Sequence, residues 1–121
     1  MTKEKIYSII DFTEYPGLRY KSQGDYSGEL LYESYLKDLF QQTIENDTIL
    51  IVNLDGTAGY AASFIDELFG NIVYDFGMEL FNKHLQIVSN EEPEWITMIE
   101  EVKKDWQYKK DNDIPRKPKI E

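Results

Sequence analysis

The chain has no cysteine, a single histidine and few basic residues. Without cysteine it can form no disulfide, no thiolate nucleophile and no zinc site of the cysteine type. Its 13 lysine and arginine residues are outnumbered by 23 aspartate and glutamate residues, which gives a formal net charge of −10. Since a nonspecific nucleic-acid surface needs a basic excess, we expect no nucleic-acid partner.

Long hydrophobic runs are also missing. The longest one is far shorter than the roughly 20 apolar residues of a membrane span, and residues 1–5 are mostly polar or charged. We therefore expect no membrane association and a cytoplasmic location. The length of 121 residues predicts one domain. We place it at 1–108, followed by a charged, proline-containing tail at 109–121 that we expect to be disordered.

A strand, a polar turn and a helix form the predicted centre of the chain. Ile49–Leu54 is a nearly unbroken apolar run rich in β-branched residues, which predicts a strand covered on both faces. From Ile65 to Phe76 apolar residues recur at intervals of three and four, which predicts a helix lying on a sheet. Binding sites of open α/β sheets gather at such turns, here Asp55–Ser63, because free backbone N–H groups point into them.

The flanking stretches complete an α/β pattern. Residues 6–12 and 18–21 predict a β-hairpin, and Ser27 is placed to cap a helix that runs to Asn46. A bend or single turn at 78–83 precedes a strand at 84–89. A final helix opens near Pro93, and its apolar stripe is expected to pack on the sheet; the stripe consists of Trp95, Ile99, Val102 and Trp106. The order β-β-α-β-α-β-α predicts a mixed β-sheet with helices packed against it.

Three separated motifs carry a family resemblance. They are Pro16-Gly17-x-Arg19-Tyr20, then Gly24-x-x-Ser27-Gly28-Glu29, then Asp55-Gly56-x-x-Gly59-Tyr60-x-x-Ser63-Phe64-x-x-Glu67-x-Phe69-Gly70. Over residues 6–89 the chain resembles the bacterial STAS-like domain family of unassigned function, which is distantly related to anti-sigma-factor antagonists. The resemblance implies a small STAS-like α/β sandwich with a role in protein–protein signalling and without known catalysis.

The antagonists also suggest a partner and a modification. In them a serine in the first turn of a helix is phosphorylated by a kinase of the histidine-kinase-type ATPase fold. Aligned on this chain, their Asp-Ser-Ser-Gly falls near Ala61-Ala62-Ser63-Phe64, where Ser63 alone keeps a hydroxyl. The resemblance thus implies Ser63 as a candidate phospho-acceptor and a histidine-kinase-type ATPase as the class of partner.

We predict that a protein partner docks on the Asp55–Glu67 turn and helix start. Two of the candidates also have a structural interpretation, Ser63 as a helix N-cap and Asp55 as a simple turn residue. We expect Tyr60 or Phe64 to be exposed as an anchor. Asp66 and Glu67 are expected to lie on the solvated helix face. The predicted partner-binding residues are Asp55, Tyr60, Ser63, Phe64 and Glu67.

The alternative prediction is a nucleotide- or anion-binding regulatory domain. Arg19, Tyr20 and Ser27 stand beside a helix start and supply the parts of an anion site. The Gly56–Ser63 turn is a second candidate cradle. Alternatively, a salt bridge from Arg19 to Glu29 or Asp25 would give the first candidate site a purely structural role, with no ligand.

No set of residues points to catalysis, a metal or a cofactor, and we predict none of the three. His84 has no serine or cysteine at a readable spacing and is interpreted as a strand-end residue. Trp95 and Trp106 are interpreted as core residues. Edge strands and the tryptophan-bearing helix leave a homodimer open.

Overall fold

The computed structural model of the chain describes residues 3–117. Within them, three short strands alternate with helices, and short 3₁₀ turns follow the first strand and precede the first helix. The elements are β1 (Glu4–Ser8), α1 (Gly28–Leu31), a π-helical segment (Tyr32–Leu36), α2 (Lys37–Glu45), β2 (Ile49–Asn53), α3 (Ala62–Phe76), α4 (Met78–His84), β3 (Leu85–Val88) and α5 (Glu94–Asp111).

The strands form one sheet in the order β1-β2-β3, and both pairings are parallel. The α/β class is confirmed. The sheet is parallel rather than mixed, because the described residues contain no hairpin partner for β1. The predicted strands at 49–54 and 84–89 are present as β2 and β3.

Residues 18–21 hold the start of α1 instead of forming a strand. The carbonyl of Leu18 accepts from Gly28 N at 2.9 Å, and that of Arg19 accepts from Glu29 N at 3.0 Å. Ser27 is the predicted N-cap, and its Oγ accepts from Leu30 N at 3.0 Å. Backbone groups that a hairpin would need are therefore already bonded to the helix that follows.

Burial alternates along β2, which corrects the expectation of a strand covered on both faces. Leu50 and Val52 are fully buried, whereas Ile49, Ile51 and Asn53 are half-buried. The register places Ile6 beside Ile51 on the less covered face, where Ile6 is 65% exposed. The helices α2 and α4 contact the sheet.

The tryptophan-bearing helix α5 packs mainly on α3 rather than on the sheet, contrary to expectation. Trp106 is buried among core residues, and Trp95 is half-buried against the ring of Tyr60. Gly70 provides the room for this packing, since a Cβ there would lie 2.1 Å from the Trp106 ring. The α3 helix is thus central, covered by α1 on one side and by α5 on another.

The predicted domain boundary at 108 falls inside α5, which continues to Asp111. Beyond it, Arg116 forms a salt bridge with Asp75 and Lys117 with Glu29. These acidic side chains are partly or fully buried, and the two cations reach them from the predicted tail. Residues 118–121 of that tail lie outside the described residues. Among residues 3–117, no helix combines the length and the apolar character that crossing a bilayer requires.

Candidate functional site

The ends of the three parallel strands meet at one edge of the sheet, as they must when all strands run the same way. We name this edge the strand-end surface. It comprises residues 9–17 after β1, residues 54–63 after β2 with the start of α3, and residues 89–94 after β3 with the start of α5. It contains most of the predicted partner-docking stretch.

Backbone hydrogen bonds join the loop after β1 to the loop after β2, and the start of the latter to the end of β3. Ala58 N donates to the Glu14 carbonyl at 2.8 Å, and Ala61 N donates to the Pro16 carbonyl at 3.0 Å. Leu54 N donates to the Val88 carbonyl at 2.8 Å. Hydrogen bonds within the chain therefore hold these loops together.

Asp55 fixes the turn from within. Its carboxylate accepts from Glu91 N at 2.9 Å and from Asn90 Nδ2 at 3.1 Å. In return the Glu91 carboxylate accepts from Gly56 N at 2.6 Å. Both oxygens of Asp55 are engaged in holding the turn, which matches its structural interpretation.

Neither aromatic residue of the predicted docking set is exposed. Phe64 is fully buried, and Tyr60 is half-buried with its hydroxyl donating to the Leu54 carbonyl at 2.6 Å. Burial raises the pKa of Tyr60. The expectation of an exposed anchor at one of these two positions is wrong, because the turn folds both rings inward. The exposed aromatic of this region is Tyr15, at 70%.

Ser63 lies in the first turn of α3 and is half-exposed. The N-cap of this helix is Ala61, which has no side chain able to cap, so the N-cap interpretation of Ser63 is wrong. Within residues 3–117, the Ser63 hydroxyl has no hydrogen-bond partner. Its role as a phospho-acceptor stays a prediction.

Glu67 is buried, at 1% exposed, so the prediction that it lies on the solvated face of the helix is wrong. Arg19 Nη1 donates to Glu67 Oε1 at 3.2 Å and to Asp66 Oδ2 at 2.7 Å. Asn71 Nδ2 donates to Glu67 Oε2 at 2.7 Å. Burial raises the pKa of Glu67 despite these donors. A partner cannot contact this carboxylate while Arg19 covers it.

The residues of the proposed anion site serve structural roles. The Arg19 guanidinium is paired with two carboxylates, neither of them the predicted Glu29 or Asp25. Ser27 is fully buried as the cap of α1, and Tyr20 begins a 3₁₀ turn. The three side chains therefore present no free cationic cradle.

The cations of the C-terminal segment were not identified from the sequence. Arg116 Nη1 donates to Asn71 Oδ1 at 3.1 Å and also bonds Asp75. Although burial raises the pKa of Asp75, hydrogen bonds from Arg116 and Tyr32 outweigh it and hold that pKa below its ordinary value. The available signal was charge: α1 and α3 carry four acids, Glu29, Asp66, Glu67 and Asp75, and no lysine or arginine, so their cationic partners must come from other parts of the chain.

The strand-end surface is acidic throughout. It contains no lysine and no arginine. Its six acids are Asp11, Glu14, Asp55, Glu91, Glu92 and Glu94. In the described part of the chain, no three histidine, cysteine or acidic side chains are grouped so that they could hold a metal ion. The surface therefore suits a cationic partner better than a phosphate group.

Comparison with known proteins identifies the family. Residues 27–95, more than half of the chain, match the sequence model of the STAS-like domain of unknown function (DUF4325). The match includes the Ser27 cap, β2, α3 and β3, while the Pro16–Tyr20 motif lies before it. Neither a curated protein nor a solved structure matches the chain. The chain belongs to the family of STAS-like domains of unknown function.

Proposed function

We propose that this protein is a non-catalytic interaction and signalling module whose partner docks on the strand-end surface, around the 55–67 turn and helix start. The proposal rests on one observation: hydrogen bonds hold the three acidic loops that follow the strands together at one edge of the sheet. Membership of a STAS-like family is in keeping with a module that lacks catalysis.

The shape of the strand-end surface supports docking. Gly56, Ala58 and Ala62 are exposed, and residues with no side chain or only a methyl group let a partner approach the backbone closely. Tyr15 stands beside them as a large exposed aromatic, a residue type enriched among interface anchors. Because the loops are already hydrogen-bonded together, docking costs little further ordering of the chain.

The charge of the strand-end surface supports a partner with a basic face. Six acids, with no lysine or arginine within the surface itself, create a negative potential that speeds encounter with such a partner and repels acidic ones. The same potential disfavours the alternative function, nucleotide or anion binding at the Gly56–Ser63 turn. We therefore favour protein docking over anion binding.

Ser63 is the proposed point of regulation. Its hydroxyl lies in the first turn of α3, at the end of the 54–63 part of the strand-end surface, and a phosphate would add roughly −1.5 to −2 charges there. The partner class proposed from the family resemblance is a histidine-kinase-type ATPase. Such a partner could both bind the surface and phosphorylate the serine.

Affinity purification from the native host tests the docking surface. Wild-type chain is compared with Glu14→Lys/Glu94→Lys, which reverses two exposed charges of the strand-end surface. The matched control is Glu79→Lys/Asp105→Lys, which makes the same charge change at exposed positions near the opposite end of the sheet. The co-purified partner is identified by mass spectrometry, and the intact mass of the chain reports phosphate.

We expect the wild type and the control to retain the partner and the strand-end variant to lose it. Phosphate that disappears in Ser63→Ala would support the regulatory role of that serine. Equal retention by all three chains would place the partner elsewhere and contradict the docking proposal.

A further inference from the structure

A cleft of about 430 Å³ lies between β1, the connection that follows it, and the helical segment that begins with α1. Its volume falls within the range of small-ligand pockets, which is roughly 300–1,000 Å³. It borders the strand-end surface through two shared residues. The lining residues are Tyr7, Asp11, Phe12, Asp25, Tyr26, Leu30, Ser34 and Tyr35.

Aromatic rings form much of this cleft. The half-buried ring of Phe12 makes edge-to-face contacts with Tyr26, at 5.6 Å between ring centroids, and with Tyr35, at 6.3 Å. These two tyrosines are 54% and 55% exposed, although large aromatic side chains are usually covered. A set of rings held together yet open to solvent can receive a flat or cationic group.

The carboxylates and tyrosine hydroxyls of the cleft have no hydrogen-bond partners among residues 3–117. Neither the Asp11 nor the Asp25 carboxylate accepts a hydrogen bond or forms a salt bridge there. The hydroxyls of Tyr7, Tyr26 and Tyr35 are likewise free of hydrogen bonds within that part of the chain. Asp11 and Asp25 are both exposed, so a ligand in the cleft can reach their carboxylates.

The charge of the cleft selects a cation. No lysine or arginine is among its lining residues, whereas two carboxylates are. Burial, with the charge of Asp11, raises the pKa of Tyr7 to about 12, so its phenol stays protonated near neutral pH. The lining thus offers two negative charges, several oxygen acceptors and four aromatic rings.

Among biological cations, a guanidinium group fits this combination best. It is planar, stacks on aromatic rings and carries five N–H donors, whereas an ammonium is a compact, strongly hydrated charge. We infer that the cleft binds an arginine side chain presented by a protein partner. The source of that arginine rests on the docking function proposed above, while the chemistry of the cleft can be tested by itself.

The test is an NMR titration of the full chain with N-acetyl-arginine amide. N-acetyl-citrulline amide, of nearly the same shape but uncharged, and N-acetyl-lysine amide serve as comparison probes. Asp11→Asn/Asp25→Asn removes the two exposed carboxylates of the cleft. The matched control, Glu79→Gln/Asp105→Asn, removes two exposed charges outside it.

We expect the arginine probe to shift the ring resonances of Tyr7, Phe12, Tyr26 and Tyr35. From two exposed charge contacts and one cation–π contact, its affinity should exceed that of citrulline by roughly tenfold. The cleft variant should lose most of that advantage and the control should keep it. Lysine should bind more weakly than arginine.

Citrulline binding as well as arginine, or a cleft variant that behaves as the control does, would overturn the inference. Equal binding of lysine and arginine would overturn the guanidinium selectivity. These outcomes are separate from the docking proposal, because a partner can be lost from the Glu14→Lys/Glu94→Lys variant whether or not the small probe binds.

Discussion

The Trp106 ring lies directly over Gly70, and its indole N–H donates to Asp66 Oδ1 at 3.0 Å. The two contacted residues are one helical turn apart on α3. Trp106 belongs to α5, most of which follows the residues matched by the family model. This pair therefore joins the C-terminal helix to the family domain.

Replacing Gly70 by alanine should destabilise the fold. The added methyl would lie 2.1 Å from a ring that is 1% exposed and cannot move aside freely. We expect the free energy of unfolding to fall by about 1–3 kcal/mol, as in other overpacked cores. Urea denaturation followed by tryptophan fluorescence measures the change.

Gly17→Ala is the matched control for this substitution. The nearest atom to a Cβ at Gly17 is a carbonyl oxygen at 3.9 Å, an ordinary contact. Its effect should stay within about 0.5 kcal/mol. Equal losses for the two variants would mean that the α3–α5 contact is not as close as described.

Ser27→Ala should show that Ser27 is a helix cap rather than part of an anion site. Its Oγ accepts from Leu30 N, and the residue is fully buried. Loss of this cap should cost about 1 kcal/mol, while the exposed Ser34→Ala should cost little. Thermal melts with inorganic phosphate provide the second readout. Phosphate that stabilised the wild type but not Ser27→Ala would restore the anion-site prediction.

Asp75→Asn should change how stability depends on pH. Because the pKa of Asp75 is lower in the fold than its ordinary value near 3.8, the unfolded chain binds that proton more readily. The carboxylate therefore contributes stability above the ordinary pKa, and this contribution is lost as pH falls through the folded pKa. The variant should be less stable by about 1–3 kcal/mol near neutral pH.

In acid the difference in the free energy of unfolding between wild type and Asp75→Asn should become smaller. Urea denaturation at neutral pH and at several pH values below 3.8, the ordinary pKa of the aspartate, measures the change. Asp105→Asn, the same substitution at an exposed position outside this ion pair, is the control. A constant difference across this range would contradict the ion pair of Asp75 with Arg116.

Local patterns in the sequence predicted most of the fold. The apolar run of β2, the periodicity of α3 and the Ser27 cap are signals that neighbouring residues carry, and the structure has all three elements. The hairpin prediction was wrong because the backbone of residues 18–21 bonds to the start of α1 instead of to β1. Composition does not reveal which of these two partners the backbone takes.

The surroundings of the candidate site were harder to predict. Glu67 resembles a solvated helix residue until Arg19, 48 positions earlier, is placed over it. Arg116 reaches Asn71 across 45 positions. Such contacts depend on how the connecting loops bring distant residues back to the helices, and no local sequence periodicity indicates them. One local signal was available: Glu67 and Asn71 are four residues apart on α3, so they lie on the same face of the helix, and two such polar residues can pair when that face is buried.

Site-specific photo-crosslinking in the native host tests the docking surface most directly. A photoreactive amino acid replaces Ala62, exposed on the strand-end surface, or Gln42, exposed near the opposite end of the sheet. We predict that one partner protein is crosslinked from Ala62 and not from Gln42. Crosslinking of that partner from Gln42 and not from Ala62 would contradict the account.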